Sequence, residues 1–217
     1  MWMITAGPTR EYLDDVRFLS NASSGRMAYC LAEAARERGA EVVLVSGPVS
    51  LQAPKGVELV PVVSAEEMLA AGRGVLEKRE AEVLLGVAAV CDFRPRSRIL
   101  GKPPKERGSF ELELVENPDV LSSLVALGRS RLNLGFALED FEGAGGPSFE
   151  RAVQRARIKL YRKGLDAIIL NPIPQMEAEA GTAYWVTQEG EPRFLGAGPK
   201  PELAGRIVEA VFSLTRG

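Results

Sequence analysis

The fold is decided by the stretch from Met3 to Pro48, MITAGPTREYLDDVRFLSNASSGRMAYCLAEAARERGAEVVLVSGP. An apolar run from Trp2 to Ala6 opens it and a second run, from Val42 to Ser46, closes it, and both are typical of buried strands. Between them, apolar side chains recur at spacings of three and four residues, which predicts a helix over residues 24–38. This order is a βαβ unit, so we expect the two strands to lie side by side and parallel.

The connection from the first strand to the helix, Gly7 to Ser23, is unusually long. Loops between a strand and a helix usually have two to six residues, and much longer ones tend to be functional. This loop carries Arg17 and Asn21 and leads into a helix start at Gly25. Free N–H groups and the helix dipole favour a phosphate at such a start. We therefore predict that the chemistry lies here.

Composition indicates an ordinary globular protein. The chain has 217 residues, 46% hydrophobic content and a net charge of −2, so nothing draws it strongly to nucleic acid or to an anionic membrane. We see no linker or internal repeat, and we expect a single α/β domain over residues 1–217. No apolar run approaches the ~20 residues that span a bilayer, and the start lacks a leader pattern, so we expect a cytoplasmic protein.

The chain contains no histidine and two cysteines, Cys30 and Cys91. The lack of histidine excludes Ser–His and Cys–His catalysis as well as histidine-ligated metal sites. Both cysteines lie in apolar surroundings, so buried free thiols in a reducing compartment are expected.

Further apolar runs alternate with helical patterns, which predicts a mostly parallel sheet. These runs are Val57–Val63, Glu82–Val90, Leu132–Leu138 and Asp166–Leu170, and a hairpin is expected from 182–187 and 193–195. The fold class that we predict is α/β, a Rossmann-like three-layer sandwich with an extended loop or strand arm. The run Glu82–Val90 should be a central strand, and its carboxyl end delivers Ala88 and Asp92 to the edge where open α/β sheets bind ligands.

The segment from Phe93 to Gly108 differs in character, with six basic residues, three prolines and two glycines. We expect a long loop here, then a strand over 110–114 and a helix whose cap is Asn117-Pro118. A run of charge is usually a solvated surface, and Phe93 is the only aromatic residue in the segment, so binding of nucleic acid is not expected.

Two familiar phosphate-binding motifs are missing. After the first strand the glycines are Gly7 and then Gly25, so G-x-G-x-x-G is absent, and no Walker A motif occurs. This lowers the case for an ordinary NAD(P) or FAD enzyme. The pattern indicates a nucleotide-type fold with its own kind of phosphate loop.

Several blocks of sequence, taken in order, resemble the phosphopantothenate–cysteine ligases of coenzyme A biosynthesis. They are ITAGPTRE at 4–11, DDVRFLSNASSGRM at 14–27, AAVCDFRP at 88–95, GKPPK at 101–105, ENPD at 116–119, GFALED at 135–140, and A-R-x-K-x-x-x-K-x-x-D-x-x-x-x-N at 156–171. The resemblance implies that a nucleoside triphosphate, usually CTP although ATP can serve, activates the carboxylate of 4′-phosphopantothenate as an acyl-nucleotidylate. The amine of L-cysteine then forms the amide.

The resemblance also implies an Mg²⁺ ion and a cation-rich site. Each pair of like charges ~4 Å apart costs about 4 kcal/mol at an effective dielectric constant near 20. Mg²⁺ held mainly by phosphate and water would offset part of this, with Asp92 as a candidate ligand. The family forms homodimers, and we expect the region from Arg94 to Leu114 to be the arm that reaches the partner.

Site residues are carried over by position. Asn21 matches the residue that positions the acyl intermediate, and Arg17 matches an arginine of the same loop, with both expected in catalysis and substrate binding. Lys102 best matches the activating lysine and Lys105, a substrate-binding candidate, is its competitor. The expected nucleotide-binding positions are Gly7, Ser23, Ser24, Gly25, Ala88, Asp92, Phe136, Lys159 and Lys163.

The chain also departs from the family pattern. Asp15 stands where proline is frequent, Arg26 where lysine is frequent, and Ala28 where glycine is usual. GKPPK replaces a motif that usually reads lysine, isoleucine, lysine, lysine. The decarboxylase module is absent, so we expect a stand-alone ligase, or a fragment of a fused one, with a separate phosphopantothenoylcysteine decarboxylase.

Other interpretations stay open. Asn21 alone could be a turn residue, and Lys159 and Lys163 could be a solvated helix face. An NAD(P)-dependent reductase would need an acidic residue that binds the ribose after the second strand, and this chain has Ser46-Gly47-Pro48 there. A catalytically decayed nucleotide-binding protein would bind CTP without releasing pyrophosphate.

Overall fold

The structure is a computed structural model that describes residues 1–103, 111–173 and 179–215. The strands in these ranges are β1 Trp2–Ala6, β2 Arg10–Tyr12, β3 Phe18–Ser20, β4 Val42–Ser46, β5 Glu58–Pro61, β6 Ala81–Gly86, β7 Phe93–Pro95, β8 Leu114–Glu116, β9 Ser130–Glu139, β10 Ala167–Pro172, β11 Ala180–Val186 and β12 Arg193–Pro199. The helices are α1 Arg26–Glu37, α2 Ala65–Lys78, α3 Val120–Val125, α4 Pro147–Lys163 and α5 Lys200–Thr215.

The central sheet has eight strands in the order β12-β11-β10-β9-β6-β1-β4-β5. All neighbours from β10 to β5 are parallel, and β11 and β12 add an antiparallel hairpin at one edge. The mostly parallel sheet is therefore confirmed. From β1 the chain moves outward to β4 and β5, and later to β6, β9 and β10 on the other side. The strand order reverses between β1 and β6, and such a reversal leaves a crevice at the carboxyl ends of the strands.

Helices cover both faces of the sheet. Side chains alternate along a strand, so β1 sends Trp2 and Ile4 to the face covered by α1 and α5, and Met3 to the face covered by α2 and α3. The ring of Trp2 lies 4.9 Å from that of Phe212 on α5. A further cluster joins α4 to β10 and β11. This arrangement confirms the three-layer sandwich.

Three glycines bring the ends of β1, α1 and β4 into close contact. Gly7 has φ +69°, and a Cβ there would lie 2.9 Å from the carbonyl oxygen of Gly47. Gly25 has φ +72°, and its Cβ would lie 2.8 Å from Val49 Cγ1. A Cβ on Gly47 would lie 1.9 Å from the carbonyl oxygen of Pro8. Glycines distributed over two loops therefore provide the close approach that a contiguous G-x-G-x-x-G motif provides elsewhere.

Two regions differ from the sequence expectations. The long connection after β1 contains an antiparallel hairpin, β2–β3. The basic segment expected as a loop begins with β7, which pairs with β8. The strand expected over 110–114 begins only at Leu114, and residues 104–110 lie outside the described part of the chain.

The cap of α3 was also misplaced. Asp119, rather than Asn117-Pro118, caps the helix, and its side chain accepts from Ser122 N at 3.0 Å. Asn117 is used elsewhere, because its side-chain amide donates to the carbonyl oxygen of Cys91 at 2.9 Å.

Candidate active site at the carboxyl edge of the sheet

The backbone that follows β6 forms one wall of the crevice. Thr5 Oγ1 accepts hydrogen bonds from Val87 N and Ala88 N at 3.3 and 3.4 Å, and Ala89 N donates to Gly7 O at 2.9 Å. β6 ends four residues earlier than the predicted run, yet these bonds hold the next residues against the end of β1. The crevice is therefore framed by backbone from two neighbouring strands.

Asn21 ties the long connection to this wall. Its side-chain nitrogen donates to Ala89 O at 3.2 Å and to Val90 O at 2.9 Å. An amide nitrogen has two donors, and both are bonded to backbone here. Asn21 was expected to position the acyl intermediate, and donation to that intermediate would therefore require this amide to exchange one partner.

The two serines before α1 occupy backbone donors of the helix start. Ser23 Oγ accepts from Gly25 N at 3.3 Å, and Ser24 Oγ accepts from Arg26 N at 3.4 Å. Both distances exceed the usual range for N–H···O bonds. An anion could displace these weak contacts and take the same backbone groups.

A cavity of about 180 Å³ lies beside this helix start. Three of its lining residues, Ser23, Ala88 and Phe136, were predicted from the sequence to bind nucleotide. Two polar residues, Asn171 and Lys200, line it as well and were missed as site residues. Asn171 lay at the end of a quoted motif, whereas nothing in the pattern around Lys200 distinguished it from an ordinary lysine.

Two further cavities, of about 220 and 420 Å³, lie on the other side of Phe136. Asp92, Asp119 and Lys163 line both of them, and Lys159 lines the larger. Because Phe136 also lines the first cavity, the three form a series along the crevice. The predicted positions Asp92, Lys159 and Lys163 thus share one side of this series.

Both predicted lysines have acidic partners. Lys163 Nζ lies 2.9 Å from Asp119 Oδ2, and Lys159 Nζ lies 2.7 Å from Glu139 Oε1. Burial raises the pKa of Glu139, but hydrogen bonds from Lys159 and Arg155 outweigh it and hold that pKa below its usual value. A phosphate bound here would compete with carboxylates that are already in place.

Arg17 is held away from the described linings of these cavities. Its guanidinium pairs with Asp14 Oδ2, with Nη2 at 2.5 Å and Nε at 2.7 Å. Burial would raise the pKa of Asp14, but hydrogen bonds from Arg17 and Val16 lower it to about 2. Asp14 therefore stays ionised and fixes the direction of Arg17 within the β2–β3 connection.

Lys102 follows residues 98–101, which are bonded to the connection between β2 and β3. Gly101 N donates to Asp15 Oδ2 at 2.8 Å, and Arg98 Nη2 lies 2.9 Å from Asp15 Oδ1. Asp15 N also donates to Gly101 O at 3.2 Å. Lys102 itself is exposed, and Lys105 lies outside the described residues. Asp15 was noted in the sequence only as a departure from proline. In the structure it bonds Gly101 and Arg98, and we call these bonds the clasp.

The carboxylates in this crevice suit a magnesium ion that phosphate groups of a ligand also bind. Within residues 1–103, 111–173 and 179–215 there is no group of three or more Asp, Glu, Cys or His side chains that could hold a metal. Asp92 is exposed and lines the same cavities as Asp119. Because Mg²⁺ in phosphate-transfer sites is commonly held by one or two carboxylates and by phosphates, Asp92 fits the role expected for it.

Comparison with known proteins agrees with this geometry. The family described as DNA/pantothenate metabolism flavoprotein C-terminal domain matches residues 1–214. The coenzyme A biosynthesis bifunctional protein CoaBC of Bacillus subtilis (strain 168) is 37% identical over 221 residues, which cover 99% of this chain and 51% of that protein. The chain thus spans about half the length of the curated relatives it matches.

Solved structures share the fold. A crystal structure of the C-terminal domain of CoaBC superposes with a TM-score of 0.79 at 33% identity, covering 100% of this chain and 96% of that one. A Cab2 variant in complex with phosphopantothenate-cysteine has a TM-score of 0.77 at 17% identity, covering 99% and 86%. At that identity the second likeness shows the fold alone.

Proposed function

The chain belongs to the DNA/pantothenate metabolism flavoprotein C-terminal domain family, and from this premise we propose that it is a ligase that joins 4′-phosphopantothenate to L-cysteine. A nucleoside triphosphate, CTP in preference to ATP, first activates the carboxylate. The carboxylate oxygen attacks the α-phosphorus, pyrophosphate leaves, and an acyl-nucleotidylate forms. The cysteine amine then attacks the acyl carbon, loses a proton and expels the nucleoside monophosphate.

One observation carries this proposal. Four separate segments of the chain contribute Ser23, Ala88 and Asp92, Phe136, and Lys163, and each residue lines at least one of the three adjoining cavities of the crevice. Every one of these positions was selected from sequence for nucleotide binding. Their convergence at the switch point of the sheet favours a bound nucleotide over a surface role for each residue.

The residues of the crevice have distinct tasks in this reaction. The start of α1 binds phosphate through Gly25 N and Arg26 N once the serine hydroxyls are displaced. Lys159 and Lys163 offset the charge between the triphosphate and the carboxylate substrate. Asn21 holds the crevice wall through Ala89 and Val90, which fixes where the acyl group can lie. A magnesium ion bound at Asp92 would neutralise part of the triphosphate charge.

Lys102 supplies the cation for the activation step in this proposal. It is a point charge on an exposed segment, so it can approach the α-phosphate as charge develops there. The clasp between Asp15 and Gly101 limits how far that segment can move. Arg17, held by Asp14, lies in the same connection as Asp15.

We extend the proposal to assembly and location. Apolar side chains are exposed on the arm, with Phe93 at 50%, Leu114 at 44% and Leu100 at 89%. These side chains favour packing of the arm against a second copy of the chain, as a homodimer. Among the described residues, no helix combines the length and apolar character needed to cross a membrane. We propose a cytoplasmic enzyme whose product is passed to a phosphopantothenoylcysteine decarboxylase.

The test is pyrophosphate release by the purified protein with Mg²⁺, 4′-phosphopantothenate and either CTP or ATP, with and without L-cysteine. We expect release that depends on 4′-phosphopantothenate, faster turnover with CTP, and amide product only when cysteine is present. Binding of CTP without pyrophosphate release, all substrates being present, would show a decayed site.

A reductase is a weaker second candidate. Ser46, at the end of β4, is buried and donates its hydroxyl to Gly47 O at 2.8 Å, so it offers no exposed acidic group to a ribose. Tight binding of NADPH together with a lack of ligation would favour the reductase.

A further inference from the structure

Lys200 is a buried cation beside the first cavity of the crevice. It is the first residue of α5, its exposed fraction is 4%, and it lines the cavity that Ser23 also lines. Buried charge is costly unless it is compensated. An ammonium group has three N–H donors, so Lys200 can bond within the protein and to a ligand at the same time.

The other buried charged residues in the described part of the chain serve the scaffold. Glu11 accepts from Ala65 N at 3.0 Å at the start of α2, Asp14 binds Arg17, and Glu139 binds Lys159. A bond to another residue compensates the cost of burying each of these carboxylates. Lys200 is the basic member of this buried set, and it also lines the first cavity of the crevice.

Basic residues begin both of the helices that meet beside this cavity. Arg26 begins α1 and Lys200 begins α5, and Glu179 connects the two residues. Its carboxylate lies 3.0 Å from Arg26 Nη1, and its carbonyl oxygen accepts from Lys200 N at 3.0 Å. Two helix N-termini, each with the positive end of a helix dipole, therefore lie next to each other.

The same two cations affect the pKa of the Cys30 thiol on α1. Burial raises the pKa of Cys30, and the charges of Arg26 and Lys200 act against that rise. Both cations are therefore close enough to act on the first turns of α1. An anion in the cavity would experience their combined field in surroundings that screen charge less than water does.

Asn171 also lines this cavity, and one of its polar atoms has no hydrogen-bond partner among the residues that the structure describes. Its Nδ2 donates to Thr182 O at 2.8 Å, which fixes the orientation of the amide. Its Oδ1 is buried and accepts no hydrogen bond from the described residues. Buried polar atoms in folded proteins rarely stay without a partner. Asn171 thus adds a buried acceptor beside the cavity that Lys200 lines.

We propose that Lys200 binds a phosphate group of a substrate held in the cavity between the starts of α1 and α5. The proposal deepens the ligase function and rests on it for the identity of the substrates. The phosphate comes either from the polyphosphate of the nucleotide or from the phosphate monoester of 4′-phosphopantothenate. In both cases the anion site includes the C-terminal helix as well as the opening βαβ unit.

The experiment compares Lys200→Gln with the wild-type protein by calorimetric titration of CTP, CMP, inorganic pyrophosphate and 4′-phosphopantothenate. Lys78→Gln, on the exposed last turn of α2, is the matched control and should bind all four ligands as the wild type does. Loss of a charged hydrogen bond should weaken the affected ligand by about 10- to 100-fold. Weakening of CTP and pyrophosphate beyond that of CMP identifies the nucleotide as the source, and selective weakening of 4′-phosphopantothenate identifies the acid substrate.

Unchanged affinities in Lys200→Gln would overturn the proposal, and so would an equal loss for all four ligands. Lys200→Arg keeps the charge and should retain more affinity than the glutamine variant, whereas equal affinities in the two variants would contradict a role for charge. The ligase function and the role of Lys200 can be refuted independently of each other. Binding that depends on Lys200 without amide formation would refute the ligase alone, and amide formation with wild-type binding in Lys200→Gln would refute the role of Lys200 alone.

Discussion

The crevice and the arm are built by different physical means. The crevice is held by backbone hydrogen bonds among buried residues and by the close contact of Gly7, Gly25 and Gly47. The arm around β7 and β8 is held by the three-residue ladder between these strands and by exposed ion pairs, such as that of Arg96 with Glu113 at 2.8 Å. Exposed ion pairs contribute about 0–1 kcal/mol each. The crevice is therefore preorganised, whereas breaking one exposed ion pair of the arm costs little free energy.

This difference fits a division of labour in the proposed reaction. A site that orients a nucleotide benefits from fixed donors, because their reorganisation is avoided at the moment of reaction. A cation that must follow substrates into the site benefits from a loosely held segment. Changes in the arm should therefore reduce turnover, whereas changes at the glycine contacts of the crevice should reduce stability.

The largest effect is expected in the arm. Lys102→Gln should lower acyl-nucleotidylate formation by about a thousandfold or more, because it removes the charge that stabilises the activation step. Nucleotide affinity should change little. Quenched-flow detection of the intermediate measures this effect. If Lys105→Gln abolishes the intermediate and Lys102→Gln does not, the roles of the two lysines are reversed.

The next effect lies in the crevice wall. Asn21→Ala should lower turnover by about 100- to 1,000-fold, since it removes the amide that bonds Ala89 and Val90. The fold and the binding of substrates should be retained. Steady-state kinetics measures the loss, and the temperature of unfolding is the control. Wild-type turnover in this variant would remove Asn21 from the site.

A pair of glycine variants tests the rigidity of the crevice. Gly47→Ala places a Cβ 1.9 Å from Pro8 O, so we expect a loss of about 3 kcal/mol or more in the free energy of unfolding. Gly74→Ala on α2 has nothing within 4 Å of its Cβ and should gain about 0.5–1 kcal/mol. Denaturant unfolding measures both. Equal stabilities would mean that the close contact is not required.

The smallest effect should come from the clasp. Asp15→Asn weakens the bonds to Gly101 and Arg98, each within about 1 kcal/mol, so we expect a fall of roughly three- to tenfold in kcat at constant nucleotide affinity. Glu113→Gln, which breaks the exposed pair with Arg96, should leave kcat unchanged. Equal losses in the two variants would make the clasp an ordinary surface contact.

The sequence predicted most of the sheet because its signals there are local. β1 and β4 are runs buried on both faces, and their bounds were predicted without error. The hairpin β2–β3 was missed because its strands have three residues each and lack regular alternation. The cap of α3 was missed because the choice between Asn117 and Asp119 depends on a distant carbonyl group, that of Cys91.

The site residues that the sequence predicted were likewise those with local signals. Ser23, Ala88 and Phe136 were identified through motifs and do line one cavity. Lys200 belongs to no motif, and only the docking of α5 beside α1 brings it to that cavity. The pairing of Arg17 with Asp14 and the role of Asp15 likewise depend on contacts that composition and spacing do not encode.

The most direct test of the central claim is a crystal structure of the protein with Mg²⁺ and a non-hydrolysable analogue of CTP. We predict that phosphate oxygens replace the hydroxyls of Ser23 and Ser24 at Gly25 N and Arg26 N, and that the nucleoside lies against Phe136. Phosphates bound at a position remote from residues 17–25 would contradict the account.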